Sequence, residues 1–377
     1  MLNPILIVVQ NLKIGGYQRI ALDELYGFAK QRYPVELVAL EDFTQNINNN
    51  LFYLEKNLIQ KFNLSMKIAS GHRYQQLGFF RRYIRTCDKS LVVFSHSLRA
   101  TVLIRIASFM CKKNVRIHTV IHQIPSLSQP IQRLKRFIYS LFSDSLHTFS
   151  VAAKNDWDNK INNNLFLKFL FKNKPITLLR NGIFLERLPA LNPVNELDIK
   201  SNFRLIFLGR PTRWKGAETL INLAKQQSLV NFEIVFFFPY ENLDLFLDLP
   251  DNIIDRITVN IGKTIADYSP RKGDIHLYPT NYGKDSKFIE SISINCLEMS
   301  AIGIPSFVTQ GGLDTWPEFL INSLIVEVDW SNLTEVAHKI LEMNEKSISN
   351  FDLDQAKKII DIQNHVNQMM QIINQTL

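Results

Sequence analysis

The sequence predicts an α/β protein of two domains, each a parallel sheet covered by helices, and three observations predict it. Short apolar runs rich in Val, Ile and Phe alternate with longer amphipathic segments along the whole chain. The runs lack polar alternation, as strands buried on both faces do. The charge also changes sign along the chain. Residues 1–190 carry 27 Lys/Arg against 11 Asp/Glu, and residues 191–377 carry 16 against 24. The break falls near RLPALNPVNELD, with Pro189 and Pro193. The expected domains are therefore 1–190 and 191–360, with 361–377 a closing helix expected to pack back on the first domain.

In order, the first domain offers the strands ILIVV, VELVAL, LVVFS, VRIHTVI, HTFSV and PITLL. The second offers RLIFLG, FEIVFFF, RITVN, IHLYP, PSFVT and SLIVEV. RIALDELYGFAKQ, AETLINLAKQQ and SINCLEMSAI have helical patterning, and DLDQAKKIIDIQNHVNQMMQIINQTL reads as one long polar helix or two. Repeated strand–helix units give two Rossmann-like domains, whose ligands sit at the carboxyl ends of the strands.

Composition excludes several classes. With 46% hydrophobic and 21% charged residues, the 377-residue chain is globular, not disordered. Cys87, Cys111 and Cys296 have neither metal-ligand spacing nor a disulfide pattern and suit a reducing compartment. The first apolar run, Ile5 to Val9, is too short for a signal peptide core. The longest, LVVFSHSLRATVLIRIASFM, holds His96, Arg99 and Arg105 and should not span a membrane. NIGKT (260–264) lacks the glycine a P-loop needs at Ile257. Asp156-Trp157-Asp158 and Asp352-Leu353-Asp354 precede or open helices, so they read as caps and no essential metal is expected.

Three constellations carry chemistry. Gly15 and Gly16 stand between the first strand and its helix, where backbone amides can approach an anion. A turn that needs positive φ is the competing reading. In GRPTRWKG, Arg210 and Lys215 are flanked by Gly209 and Gly216 just after a strand, an arrangement able to neutralise a diphosphate. The third is ESISINCLEMSAIGIP. A single helix through Glu290 and Glu298 would set them about 80° apart and about 12 Å apart along the axis. A helix beginning just after Glu290, with Ser291 and Ser293 in its first turn, would let both carboxylates face one site, with Glu298 two turns in. A carboxylate suits a vicinal diol, accepting one hydrogen bond from each hydroxyl.

In this order along the chain, GGYQR, VVFSHS, HTVIH, LLRNGI, GRPTRWKG, ESISINCLE and GIPSFVTQGG resemble the motifs of the retaining, GT-B-fold glycosyltransferases of family 4. The resemblance implies two Rossmann-like domains facing a cleft, the first binding acceptor and the second a nucleotide-sugar donor. It implies Arg210 and Lys215 on the diphosphate and Glu298 on the ribose. Glu290 would hold the transferred sugar, with Ser291, Ile292 and Ser293 beside it, and Gly16 and Gly209 would approach the phosphates. His122 would lie near the reacting sugar, with His96, Gly15 and Arg19 on the acceptor side. Retention would follow from front-face departure of the nucleoside diphosphate, without a protein nucleophile or cofactor, and the expected donor is a UDP-sugar. Where many members have glycines after the first glutamate, this chain has Ser291-Ile292-Ser293.

Basic and aromatic residues interleave in RRYIR (81–85), QRLKRFIYSLF (132–142) and NLFLKFLFKNK (164–174). Such segments suit an anionic membrane surface; a solvated basic face is the plainer reading, and no nucleic-acid recognition motif is present. With the family context, the expectation is peripheral attachment to the inner face of the cytoplasmic membrane. The acceptor would be a glycan or lipid-linked acceptor of the lipopolysaccharide, O-antigen or capsule type. Two other functions compete: a glycoside hydrolase using Glu290 and Glu298 as acid and base, and an inactive nucleotide-sugar-binding partner subunit.

Overall fold

The computed structural model describes residues 3–13, 15–42, 51–122, 134, 137–139, 141–172, 174–189, 203–212, 215–241, 243–246, 249–271, 273–280, 293–309, 324–345 and 353–375. The chain forms two compact units, one of Met1–Phe184 with Asp361–Leu377, the other of Leu185–Lys287 with Ile292–Ile360. The division falls after Phe184, ahead of the 190/191 boundary read from the sequence. Arg187 and Leu188 belong to the second unit because Arg187 pairs with Glu298 and Leu188 packs on a core that includes Ile206, Leu208, Val235 and Phe237.

The first unit is built on a parallel sheet of order β3-β2-β1-β4-β5-β6-β7. Its strands are β1 (Ile5–Val9), β2 (Val35–Ala39), β3 (Ser65–Ile68), β4 (Leu91–Ser95), β5 (Val115–Ile121), β6 (Ser145–Thr148) and β7 (Ile176–Leu178). Every residue of β1 and β4 is buried, which is why these runs carry no polar alternation. The strand read as HTFSV is set earlier, at Ser145–Thr148, because Ser150 leaves the sheet to cap the next helix and accepts from the Ala153 amide. β3 has no counterpart among the strands read from the sequence. It is an edge strand, and its residues alternate between exposed and half-buried.

The helices used below are α1 (Gly16–Lys30), α2 (Arg73–Thr86), α3 (Leu98–Cys111), α4 (Val151–Asn162) and α5 (Leu165–Phe171) in the first unit. The second unit contributes α6 (Ala217–Ala224), α7 (Ile294–Ala301), α8 (Leu333–Glu345) and α9 (Leu353–Ile360); α10 (Ile362–Gln375) closes the first unit. The apolar face of α10 lies along α1, where a side chain at Gly27 would run into Val366 and Ile362. Gly182 is equally constrained, since a Cβ there would sit 2.7 Å from the Ile362 Cα. Asp156 and Asp158 lie inside α4, paired with Lys160 and Lys154 one turn away, and do not cap it.

The second unit has the parallel order β10-β9-β8-β11-β12-β13. Its strands are β8 (Arg204–Leu208), β9 (Glu233–Phe238), β10 (Ile257–Ile261), β11 (Ile275–Tyr278), β12 (Ser306–Thr309) and β13 (Ile325–Val328). Phenylalanines of β8 and β9 fill its core against α6 and α8. Arg204, buried at the start of β8, is held by Asp274 through Nε at 2.9 Å and Nη2 at 2.5 Å. Among the described residues, no helix is long and apolar enough to cross a membrane.

Candidate functional site

Strand order reverses once in each sheet, between β1 and β4 in the first and between β8 and β11 in the second. Ligands of open parallel sheets sit at such points, because the connections there leave to opposite faces and open a crevice at the strands' carboxyl ends. Residues picked from the sequence gather at both points.

In the first unit, Gly15 is the extended cap of α1 and Gly16 its first residue. No side chain caps this helix and its first turn carries no acidic residue. The start of α1 therefore offers backbone amides and positive dipole without a built-in anion. Nothing lies within 4 Å of where a Gly16 side chain would stand. Arg19, in the next turn, forms a buried ion pair with Glu55.

His96 follows β4 and His122 follows β5, on adjacent parallel strands, so their rings meet. His96 Nδ1 lies 2.8 Å from His122 Nε2, with ring centroids 5.0 Å apart. On its other side His96 Nε2 is 2.8 Å from Glu24 of α1, and both side chains are fully buried. Glu24 also meets His365 of α10, at 3.0 Å. His96 is thus engaged on both nitrogens and does not present itself to an acceptor, contrary to the expectation for it. His122 is half-buried, flanked by the rings of Tyr17 at 5.5 Å and Phe149 at 5.3 Å. Burial, reinforced by His96, pushes its pKa well below the ordinary histidine range.

Burial by itself would raise the Glu24 carboxyl; His96 and, after it, His365, each donating to one of its oxygens, outweigh this and hold it at about 2. A second buried set, His118, Ser145 and His147, lies within the sheet, joined by two hydrogen bonds of 2.7 Å. Burial lowers His118 to about 4.

In the second unit, the loop after β8 carries Gly209, Arg210 and Lys215 before α6 begins. It is tied by the Thr212 amide to the Arg210 carbonyl at 2.7 Å and by the Lys215 amide to the Thr212 carbonyl at 2.9 Å. Gly216 adopts φ +80, and a side chain there would collide with the Pro279 carbonyl after β11. That close approach brings the two loops of the switch point together. Lys215 Nζ lies 2.5 Å from the Tyr278 hydroxyl and 4.8 Å from the ring centre. Tyr278 meets the ammonium with its hydroxyl and the face of its ring. Arg210 is exposed.

The helix after β11 differs from the sequence reading. α7 starts at Ile294, with Ser293 as its extended cap, so Glu298 sits one turn in and not two. Ser293 makes no side-chain capping bond. The Asn295 side chain donates from Nδ2 to the Leu208 carbonyl at 2.7 Å and fastens the start of α7 against the end of β8. Glu298 is buried, and its Oε1 accepts from Arg187 Nε at 3.1 Å and Nη2 at 2.5 Å. Glu290, Ser291 and Ile292 lie outside the described residues, as does all of 123–133.

Sequence reasoning missed Glu24, His365, Arg187 and Tyr278. Glu24 had one local signal, an acid next to Asp23 within an apolar helical pattern; its partners are 72 and 341 residues away.

No protein-family model and no curated relative matches this chain. Solved structures do. HepE of Anabaena in complex with UDP and glucose matches with a TM-score of 0.69 at 14% identity, covering 99% of this chain and 100% of that one. Sucrose-phosphate synthase of Thermosynechococcus elongatus matches at 0.65 and 12%, covering 100% and 99%. The apo lipopolysaccharide outer core galactosyltransferase WaaB matches at 0.62 and 11%, over 100% of both chains. The chain has the GT-B fold, two Rossmann-like α/β units of seven and six parallel strands.

Proposed function

We propose that this chain is a retaining glycosyltransferase that moves a hexose from a nucleotide-sugar, a UDP-sugar first, to a glycan or lipid-linked acceptor. The observation that carries the reading is the Gly209–Gly216 loop at the switch point of the second sheet, with Arg210 and Lys215 on it and Tyr278 as the neutral partner of the lysine. UDP or UDP-glucose bound to a similarly folded protein supports the choice of donor.

In this reading the second unit holds the donor. Arg210 and Lys215 neutralise the diphosphate, and their charge stabilises the leaving group as it departs. Glu298, fixed through one oxygen by Arg187, offers the other to the ribose hydroxyls. Glu290 receives hydroxyls of the sugar, and Ser291, Ile292 and Ser293 complete the set of donor-binding residues. The first unit holds the acceptor, with Gly16 and His122 at the carboxyl ends of its strands. The nucleoside diphosphate leaves from the face the acceptor enters, which retains configuration without a protein nucleophile. Arg187 on Glu298 favours a hydroxyl acceptor there over the proton-donating acid of a hydrolase.

Attachment to an anionic membrane belongs to the same proposal. Supporting it, α5 presents Leu165, Phe166 and Phe169 to solvent at 87%, 58% and 76% exposure, beside Lys168 and Lys172. Leu134 and Leu141 are exposed as well, and Phe137 stacks on Phe166.

The test is a thermal-shift screen against UDP-, GDP- and ADP-sugars. A donor at about a hundred times its Kd stabilises by about 2.7 kcal/mol, and Lys215→Ala should remove the shift while far-UV dichroism stays unchanged. Absence of a shift with every nucleotide, or full transfer by Lys215→Ala, overturns the reading. Binding without turnover across an acceptor panel would favour the inactive partner.

A further inference from the structure

The hydrogen bonds that end at His122 determine which of its nitrogens carries the proton. His365 lies between two acceptors, with Nδ1 2.7 Å from the Arg180 carbonyl and Nε2 3.0 Å from Glu24 Oε1. Neither a carbonyl nor an ionised carboxylate donates, so both nitrogens of His365 carry hydrogen and the ring is a cation. Glu24 and His365 then form one neutral, fully buried ion pair.

The other Glu24 oxygen accepts from His96 Nε2 at 2.8 Å. A second imidazolium here would leave net charge in a site with 0% side-chain exposure, at a cost of several kcal/mol. His96 is therefore neutral, with its one proton on Nε2 and a lone pair on Nδ1. The 2.8 Å bond from His96 Nδ1 to His122 Nε2 must then be donated by His122. That leaves Nδ1 of a neutral His122 as a lone pair. Tyr17 and Phe149 flank the ring and hold its plane.

We propose that the Glu24–His365 ion pair, acting through His96, locks His122 in its Nε2–H tautomer, so that Nδ1 accepts a hydrogen bond from a substrate hydroxyl. This makes Glu24 and His365 positioning residues, and their link to catalysis rests on the transferase reading above. The C-terminal helix α10 thereby supplies a group the reaction needs, although His365 touches neither donor nor acceptor. A donating imidazole would instead turn a proton toward that hydroxyl and compete with it for lone pairs.

The experiment is nitrogen NMR of the full chain labelled in its histidines, which separates protonated from unprotonated ring nitrogens. In the wild type, His122 should show a protonated Nε2 and an unprotonated Nδ1, and His365 should be protonated on both. His365→Gln keeps an amide donor toward Glu24 but removes the cation. The buried carboxylate then draws a proton onto His96, whose Nδ1 becomes a donor, and His122 switches to its Nδ1–H form. Donor-induced thermal shift should persist in this variant while kcat falls about tenfold, the worth of one ordinary hydrogen bond. A purely structural role would leave the His122 tautomer unchanged.

A protonated Nδ1 on His122 in the wild type overturns the proposal. So does an unaltered His122 pattern in folded His365→Gln. The wild-type measurement decides even if the variant does not fold. Absence of any glycosyl transfer, with the tautomers as described, would sink the transferase reading and leave the relay standing.

Discussion

At the scale of single residues, Glu298 shows how a carboxylate's role depends on partners the sequence does not reveal. Its place in E-x7-E marked it as a site residue, and its burial fits that. Arg187, which holds it, lies 111 residues earlier, and no local pattern connects the two. The side chains are 1% and 5% exposed, so removing the guanidinium would strand a charge away from water. Arg187→Ala should lower unfolding free energy in urea by about 3 kcal/mol. A loss below about 1 kcal/mol would mean that the carboxylate has another buried partner. The same blindness applied to His96, set on the acceptor side by resemblance; only the fold shows both of its nitrogens already occupied.

At the scale of elements, buried parallel strands were the most legible feature, because short uninterrupted Val, Ile and Phe runs between amphipathic segments have few other uses in a globular chain. Reading failed where local chemistry decided the ends. Ser150 moved the end of β6, and the extended Ser293 set the start of α7 at Ile294. β3 was missed because an edge strand that is half solvent-facing carries no continuous apolar run. The glycine of LLRNGI entered only as part of one of the resembling motifs. Its physical reason is the approach of α10, whose Ile362 backbone would meet any Cβ at Gly182. Gly182→Ala should therefore cost about 1–3 kcal/mol by overpacking. Amide hydrogen exchange should show the loss first in α10; an equally protected α10 would mean that the helix shifts without penalty.

At the scale of the molecule, the basic first unit and the exposed Leu165, Phe166 and Phe169 of α5 make one prediction. The protein should float with liposomes containing anionic lipid at low salt and dissociate as salt shortens the screening length below about 8 Å. Replacing Leu165, Phe166 and Phe169 with serine should weaken binding without altering nucleotide binding; equal recovery with neutral and anionic liposomes would sink it. The sequence by itself determined two parallel α/β units, the glycine-flanked loop with Arg210 and Lys215, and the polarity of the charge. These are periodicities and short-range spacings, which neighbouring residues set. The tertiary structure alone decided which groups share a proton or a charge: Glu24 with His96 and His365, Glu298 with Arg187, Lys215 with Tyr278. Such pairings depend on burial and on contacts between segments tens to hundreds of residues apart, where desolvation turns a side chain's ordinary chemistry into a specific one.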